Sequence, residues 1–441
     1  KDFSAKGGKV VFSTAAAGMM DVEPSDVPAE FAATCPVFNG PGPELIKELE
    51  SSCRRVSITA PDEKEIPEAL YLLREDEDSA CLFICNTSTT ESDIRDSSMT
   101  REAKAEYPEA KVVLKTPVVG KVVEMNPDTG EMSLVDAVYE NGSYTINTSF
   151  PVLGSRLFAV LPDGAVEGVE PAVKYAGEQI EAGDDKFDIA LTEDNVLPLD
   201  RAEYKIEDGQ WQPSEYILFV DHAVRDSLGI ERRGGRMNQP WTREKARDGK
   251  AAKVELLYRF EAEFTLSGCL KLGIESPELY SLIEINGNEL SLDSVNGWWC
   301  DMSLKTIPID PAYLKVGANE IRLVCEYDNL NPGFECIYLM GNFSSSHNGL
   351  ELTLAKPVEQ LAAGDWVGQG LDFYSGSVIY RTTTDCVPGQ GERCFIRIPE
   401  FCAPCVRIMV NGTDAGNIAW APWELDITDY LNNGENSIEI E

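Results

Sequence analysis

Apolar and polar residues alternate with a period of two through most of the chain beyond Arg55, and short turn signals separate the alternating runs. "RRVSITA", "EALYLLRE" and "ACLFICNTS" predict strands. "NPDTGE" and "ENGS" supply the Asn, Asp and Gly that tight hairpin turns require. One stretch breaks the rule, since "SEYILFVDHAVRDSLGI" has the 3.6-residue spacing of a short helix, inside a region where "GCLKLGIES" and "YSLIEINGNEL" again alternate. The first sixty residues differ in character: Ser4 to Gly8 reads as a helix end closed by glycines, and Lys9 to Ser13 as a short apolar strand buried in a parallel sheet. Such a strand needs partners on both sides and helices above it, so the chain is expected to begin inside a domain.

The pattern divides the sequence into four parts: a partial α/β segment over residues 1–60, an antiparallel β-sandwich over 61–165, a jelly-roll β-sandwich with a short helical insert over 166–345, and a second jelly roll over 346–441. The fold class is therefore mainly β. The last two parts share an outline, because "IEINGNEL" followed by "YLKVGANEIRLVCEY" parallels "IMVNGTDAG" followed by "YLNNGENSIEIE". Two copies of one sandwich type are expected.

Charge narrows the partners. Lys and Arg total 38 against 75 acidic residues, a net charge of −37, which argues against nucleic acid or an anionic membrane surface. No apolar run reaches the length of a membrane helix. The 12 cysteines lie mostly in strand-like runs and read as small buried hydrophobes, a usage that leans towards a reducing, cytoplasmic, bacterial setting. "FCAPCVRIMVNG" has no second CxxC to complete a zinc site and opens no helix.

Most catalytic motifs are missing. His222, in the helical stretch, and His347, expected in a loop, are the only histidines, and neither sits in a nucleophile or metal-binding pattern. "STAAAG" lacks the glycines of a dinucleotide site and the GK[ST] of a P-loop. No cofactor is expected. "EAGDDKFD" and "NPDTGE" gather oxygen ligands that suit at most a structural calcium, and solvated turns explain them as well.

Aromatic residues are the most suggestive feature, because sugar rings stack their apolar faces on aromatic side chains while their hydroxyls bond to polar neighbours. Trp241 in "RMNQPW", Trp298 and Trp299 in "NGWWCD", Tyr374 beside Phe373 in "GLDFYSG", and Trp420 and Trp423 in "WAPWELD" are the candidate carbohydrate contacts. Core or interface packing is the alternative for each. Trp298 and Trp299 are adjacent, so on a strand they cannot both face the core.

The run "VNGTDAGNIAWAPWELDITDYLNNGENSIEIE" resembles the sugar-binding-type, galactose-binding-like jelly roll of family-two glycoside hydrolases and rhamnosidase-like enzymes. "GLDFYSGSVIYRTT" is similar to the strand that precedes it in rhamnosidase-like members. "VVEMNPDTGE" through "PVLGSRLFAVLP" is similar to the small sandwich that follows their barrel, and "KDFSAKGGKVVF" looks like its upstream α/β neighbour. The resemblance implies a non-catalytic C-terminal part of a bacterial glycoside hydrolase, whose partners would be carbohydrate and an N-terminal catalytic barrel absent from this sequence. The family's catalytic carboxylates lie in that barrel, so no catalytic residue is carried over. A stand-alone carbohydrate-binding or adhesion protein is the alternative.

Overall fold

The computed structural model describes residues 1–87, 105–127, 129–173, 177–178, 186–233, 246–399, 401–420 and 422–441. They fall into two compact units, one formed by residues 1–177 with 420–422, the other by 178–419 with 423–441. Antiparallel sheets dominate both, and the chain is mainly β.

In the first unit, helices Asp2–Ala5, Val27–Ala32 and Pro43–Cys53, with a two-stranded ribbon Met19–Met20 and Glu23–Pro24 between the first two, precede the sandwich. Ala32 is the one buried side chain described before Arg54. The expected buried strand at Lys9 to Ser13 is not one. Its residues are partly or fully exposed, and it makes a single parallel bridge, Phe12 to Val37. Buried parallel strands need a covering layer on each face, and the described neighbours here bury too little apolar surface to form one. The sandwich that follows is built from a four-stranded sheet, in which Val56–Thr59 and Ser143–Phe150 flank Tyr107–Lys115, and a five-stranded sheet around Ala80–Asn86 and Ser155–Leu161. Alternation sets the core: Leu82, Ile84, Val112 and Ile146 point inward and are fully buried. The Asn141-Gly142 pair turns the chain with both residues at positive φ, as a tight hairpin demands.

The second unit holds two sandwiches. The larger packs a five-stranded sheet (Asn195–Leu199, Ile337–Gly341, Leu270–Glu275, Asp301–Ile309, Trp298–Trp299) against an eight-stranded one centred on Ala251–Ala262 and Gly317–Asp328. Leu197, Leu256, Leu272, Ile307, Leu323 and Leu339 form its dry centre. The expected helix is present at Ile217–Leu228, where Ile217, Val220 and Val224 recur at helical spacing on the buried side, and Gly229 ends it in the left-handed conformation.

The smaller sandwich has a six-stranded sheet and a two-stranded one, Phe395–Arg397 with Glu424–Asp426. Its sheet takes a strand from far upstream, because Phe187–Leu191 pairs with Val378–Thr384. Conversely, the hairpin Ser344–Asn348 and Glu351–Ala355 joins the larger sandwich. His347 therefore stands on a strand and not in a loop. Alternation tells which face of a strand is buried, not which sheet it joins.

The repeated outline in sequence corresponds to a repeated hydrogen-bond device. In the larger sandwich Asn286, at φ 49°, donates to the Tyr313 carbonyl and to Asn319 Oδ1 (both 2.8 Å) and accepts from the Glu320 N–H at 3.1 Å. In the smaller, Asn411, at φ 51°, donates to the Tyr430 carbonyl at 3.0 Å and to Asn436 Oδ1 at 2.7 Å, and accepts from the Ser437 N–H at 3.0 Å. The second asparagine of each pair closes its own loop: Asn319 donates to the Lys315 and Gly317 carbonyls (2.7 and 2.8 Å), Asn436 to those of Asn432 and Gly434 (3.1 and 2.7 Å). Asn319 and Asn436 are buried, so their own amide groups need these partners, and the bonds tie each hairpin to its later strand.

Asn319→Ala and Asn436→Ala should each destabilise their own sandwich by about 2 kcal/mol, through loss of the several hydrogen bonds made by one buried amide. Urea denaturation of the full chain checks this, and a loss below roughly 0.5 kcal/mol in either variant contradicts the role.

Candidate functional site

The outer face of the five-stranded sheet gathers aromatic and ionisable groups. Along Leu270–Glu275, Leu270, Leu272 and Ile274 point into the core, which leaves Lys271, Gly273 and Glu275 on the other side. Gly273 lies opposite Tyr338 on one neighbouring strand and Thr306 on the other. A Cβ there would stand 3.1 Å from the Met340 methyl and 3.4 Å from Tyr338 Cβ. The bare backbone thus gives Tyr338 and Met340 a close seat on the sheet.

Tyr338 meets Trp299, with ring centroids 5.3 Å apart and planes inclined by 57°. Trp299 is half-buried beneath this contact, while Trp298 is 56% exposed. Trp298 pairs with Lys305 and Trp299 with Asp301, and Cys300 between the two strands takes the left-handed conformation at φ 61°. For a residue with a side chain that conformation is strained, and here it makes the turn that carries the tryptophan pair.

The flank of the aromatic pair is acidic. Glu275 accepts from Ser303 Oγ at 3.3 Å, and Asp301 Oδ1 accepts from the Ser303 N–H at 2.8 Å. Burial holds the Glu275 carboxyl above its ordinary range, and the negative charges of Glu335 and Asp301 add to that against the opposing Ser303 bond and Arg233 charge. Glu275 and Glu335 both line a recess whose enclosed part, about 10 Å³, has room for roughly one water molecule. Burial and these nearby negative charges also raise Tyr338, so its phenol remains a hydrogen-bond donor at neutral pH.

Arg233 fixes Glu335. Its guanidinium donates to Glu335 Oε1 and to the Pro332 carbonyl (both 2.8 Å) and to the Phe334 carbonyl at 3.1 Å, and its Nε lies 3.5 Å from Asp221 Oδ2. Asp221 is fully buried and also accepts from Arg225 Nε at 3.0 Å, the Phe334 N–H at 3.1 Å and the Tyr327 hydroxyl. The site's acidic wall is therefore built on a buried ionic network.

The other sequence candidates are scattered. Tyr374 is only 6% exposed; it packs with Leu361, Leu371 and Val378, donates to the Ser377 carbonyl at 2.7 Å and accepts from the Thr192 N–H at 3.2 Å. It fills a core and has no free face for a sugar. Phe373 lies 5.8 Å from the His347 ring, and His347 Nδ1 is 2.8 Å from Asp372 Oδ2. Trp423 is half-buried and packs edge-on against Phe401 at 5.3 Å, while Trp420 is 58% exposed. Trp241 and most of "EAGDDKFD" lie outside the described residues. No group of three or more His, Cys, Asp or Glu able to hold a metal occurs among the described residues.

Sequence reasoning missed Tyr338, Glu275, Glu335, Arg233 and Asp221. A glycine inside the strand "LKLGIE" was the available signal, since it marks close approach by a neighbour. The carboxylates carry no signal of their own among 75 acidic residues.

No family model and no curated protein matches the chain. Among solved structures, it shows weak similarity to a rhamnosidase from Novosphingobium sp. PP1Y (9% identity, TM-score 0.21, covering 69% of this chain and 26% of that one). A β-porphyranase of glycoside hydrolase family 86 from the human gut bacterium Bacteroides plebeius gives 12% identity and a TM-score of 0.15, over 62% of this chain and 36% of that one. An anti-sigma factor domain-containing protein gives 9% identity and a TM-score of 0.18, over 70% and 98%. The chain thus spans about a quarter of the rhamnosidase and about a third of the porphyranase. Likeness at this level carries no argument about function.

Glu275 generates a pH prediction. Because its folded-state pKa is raised, the folded protein holds its proton more tightly than the unfolded chain, so stability falls as pH rises from the ordinary value of 4.5 through the raised one. Glu275→Gln should therefore be more stable than the parent at pH 7, with the difference vanishing below about pH 4. Thermal melts across pH check the sign, and a less stable variant at pH 7 contradicts it.

Proposed function

We propose that this chain is the non-catalytic, accessory part of a bacterial glycoside hydrolase, and that the larger sandwich of its second unit binds carbohydrate on the outer face of the five-stranded sheet. The observation that carries the reading is the aromatic pair Trp299 and Tyr338, bordered by hydrogen-bonding groups from Glu275, Ser303 and Asp301. Sugars need both halves of that arrangement: an apolar ring surface for their C–H faces and fixed polar atoms for their hydroxyls. The recess is too small to enclose a sugar, so a ring would lie across the face. In this reading, hydrolysis belongs to a catalytic domain outside this sequence, and the sandwiches support that domain and hold its glycan.

A glycan array with the full chain, followed by titration calorimetry on the best ligand, tests the proposal. Trp299→Ala and Tyr338→Ala should each weaken binding about tenfold, near 1.4 kcal/mol, while Trp298→Ala, on the opposite side of the same strand, leaves binding unchanged. Binding to no glycan on the array, or binding indifferent to both Trp299→Ala and Tyr338→Ala, defeats the assignment of this face. Binding that needs the face, from a gene that encodes no hydrolase domain, would make the chain a stand-alone adhesion module.

A further inference from the structure

In the smaller sandwich two cysteines meet where its two sheets come together. Strand Val378–Thr384 of the six-stranded sheet ends just before Cys386, and strand Phe395–Arg397 of the two-stranded sheet begins just after Cys394. The Cys386 and Cys394 sulfurs are 2.9 Å apart, inside ordinary contact for two non-bonded sulfur atoms, and both residues are half-buried. Each side of the pair is held by its own bonds. Cys386 N–H donates to Thr384 Oγ1 at 3.2 Å; Cys394 N–H donates to Thr428 Oγ1 and its carbonyl accepts from the Ile427 N–H, both at 2.9 Å. Arg393 is anchored to Asp426 next to them.

We propose that Cys386 and Cys394 form a disulfide that fastens the two sheets of the smaller sandwich to each other. The oxidant is a low-molecular-weight disulfide such as oxidised glutathione. One cysteine thiolate attacks it, forming a mixed disulfide and releasing one glutathione thiolate; the second cysteine, deprotonated to solvent, then attacks the mixed disulfide, forms the Cys386–Cys394 bond and releases the second. Two protein thiols are oxidised and one glutathione disulfide is reduced to two thiols. Burial and the adjacent Cys386 sulfur hold the Cys394 thiol well above its usual range. Burial also pushes two other thiols up, Cys325 to about 12 and Cys336 to about 11. A stable bond at this position belongs to an oxidising compartment, contrary to the cytoplasmic setting expected from cysteine usage.

Trypsin cuts after Arg381, Arg393 and Arg397, so it separates the two cysteines into peptides 382–393 and 394–397. The full chain, equilibrated with oxidised glutathione, blocked with an alkylating agent and digested without reductant, should yield these two peptides joined, at their summed mass less two hydrogens. Reduction should lower the melting midpoint of the chain by about 5 °C, and in Cys386→Ser reduction should shift it no further. Recovery of the two peptides separately, alkylated or carrying glutathione, overturns the proposal, as does linkage of Cys394 to Cys402 or Cys405. The digest reads the parent protein directly, so a variant that fails to fold leaves the answer unaffected.

Discussion

One buried carboxylate holds the larger sandwich and its candidate site in a single frame. Asp221 has no exposed surface, and a charge in that position is tolerable only if its oxygens are fully engaged. They are engaged by groups from three places: Arg225 one turn along the same helix, the Tyr327 hydroxyl on the long strand Gly317–Asp328, and the Phe334 N–H in the segment that follows it. Arg225 also donates to the Asn331 carbonyl at 2.8 Å, so the helix grips that segment twice. Removing one partner of such a network costs about 3–5 kcal/mol, because the others keep their charge without compensation. The network also explains a glycine: Gly333 sits at φ 111° with the Arg233 guanidinium so close that a Cβ would fall 2.3 Å from it. From there Arg233 reaches Glu335 at the surface, so the geometry of the acidic wall is inherited from the core.

The paired asparagines show how one fold can be decorated in two ways. Both sandwiches of the second unit lock an Asn-Gly hairpin to a later strand by the same set of bonds, with a 3₁₀ turn ending in tyrosine between them, at Pro311–Tyr313 and Thr428–Tyr430. The segment before that turn is free to vary, since the lock does not involve it. In the larger sandwich it raises Trp298 into solvent; in the smaller it places Trp423 edge-on against Phe401. A tryptophan near this turn is thus compatible with either a contact surface or a packed interior, which is why function has to be argued from the site and not from the fold.

The strands, the α-helix described in the second unit and the Asn-Gly turns were legible because each depends on local periodicity or local φ preference. What failed depends on long-range company. Lys9 to Ser13 has the composition of a buried strand, but burial is conferred by neighbours that a sequence window does not contain. Tyr374 shares the amphipathic chemistry of a sugar-stacking residue, and that same chemistry lets it fill a core and bond Ser377 and Thr192. Trp298 and Trp299 were legible as a pair divided between two environments, because the period of a strand forces the division; their partner Tyr338, some forty residues on, was not. Asp221 looked like one acid among many on a helix, and only the arrival of Tyr327 and Phe334 makes it central.

Charge shapes what the proposed face would accept. The chain carries a net −37, and Glu275, Asp301 and Glu335 add local negative charge beside the tryptophan and tyrosine rings. Arg233 offsets part of this, but it is committed to Glu335 and the Pro332 and Phe334 carbonyls and offers little to a ligand. Within a Debye length of about 8 Å at physiological salt, an anionic sugar would meet repulsion that a neutral one escapes. Carboxylate oxygens are acceptors only, and so match the hydroxyl donors of a neutral ring, while the Tyr338 phenol and the Ser303 hydroxyl supply donors in return. If the proposed face binds a ligand, this charge distribution would favour an uncharged, hydroxyl-rich one, with specificity from hydrogen bonds placed around an aromatic floor and not from charge attraction.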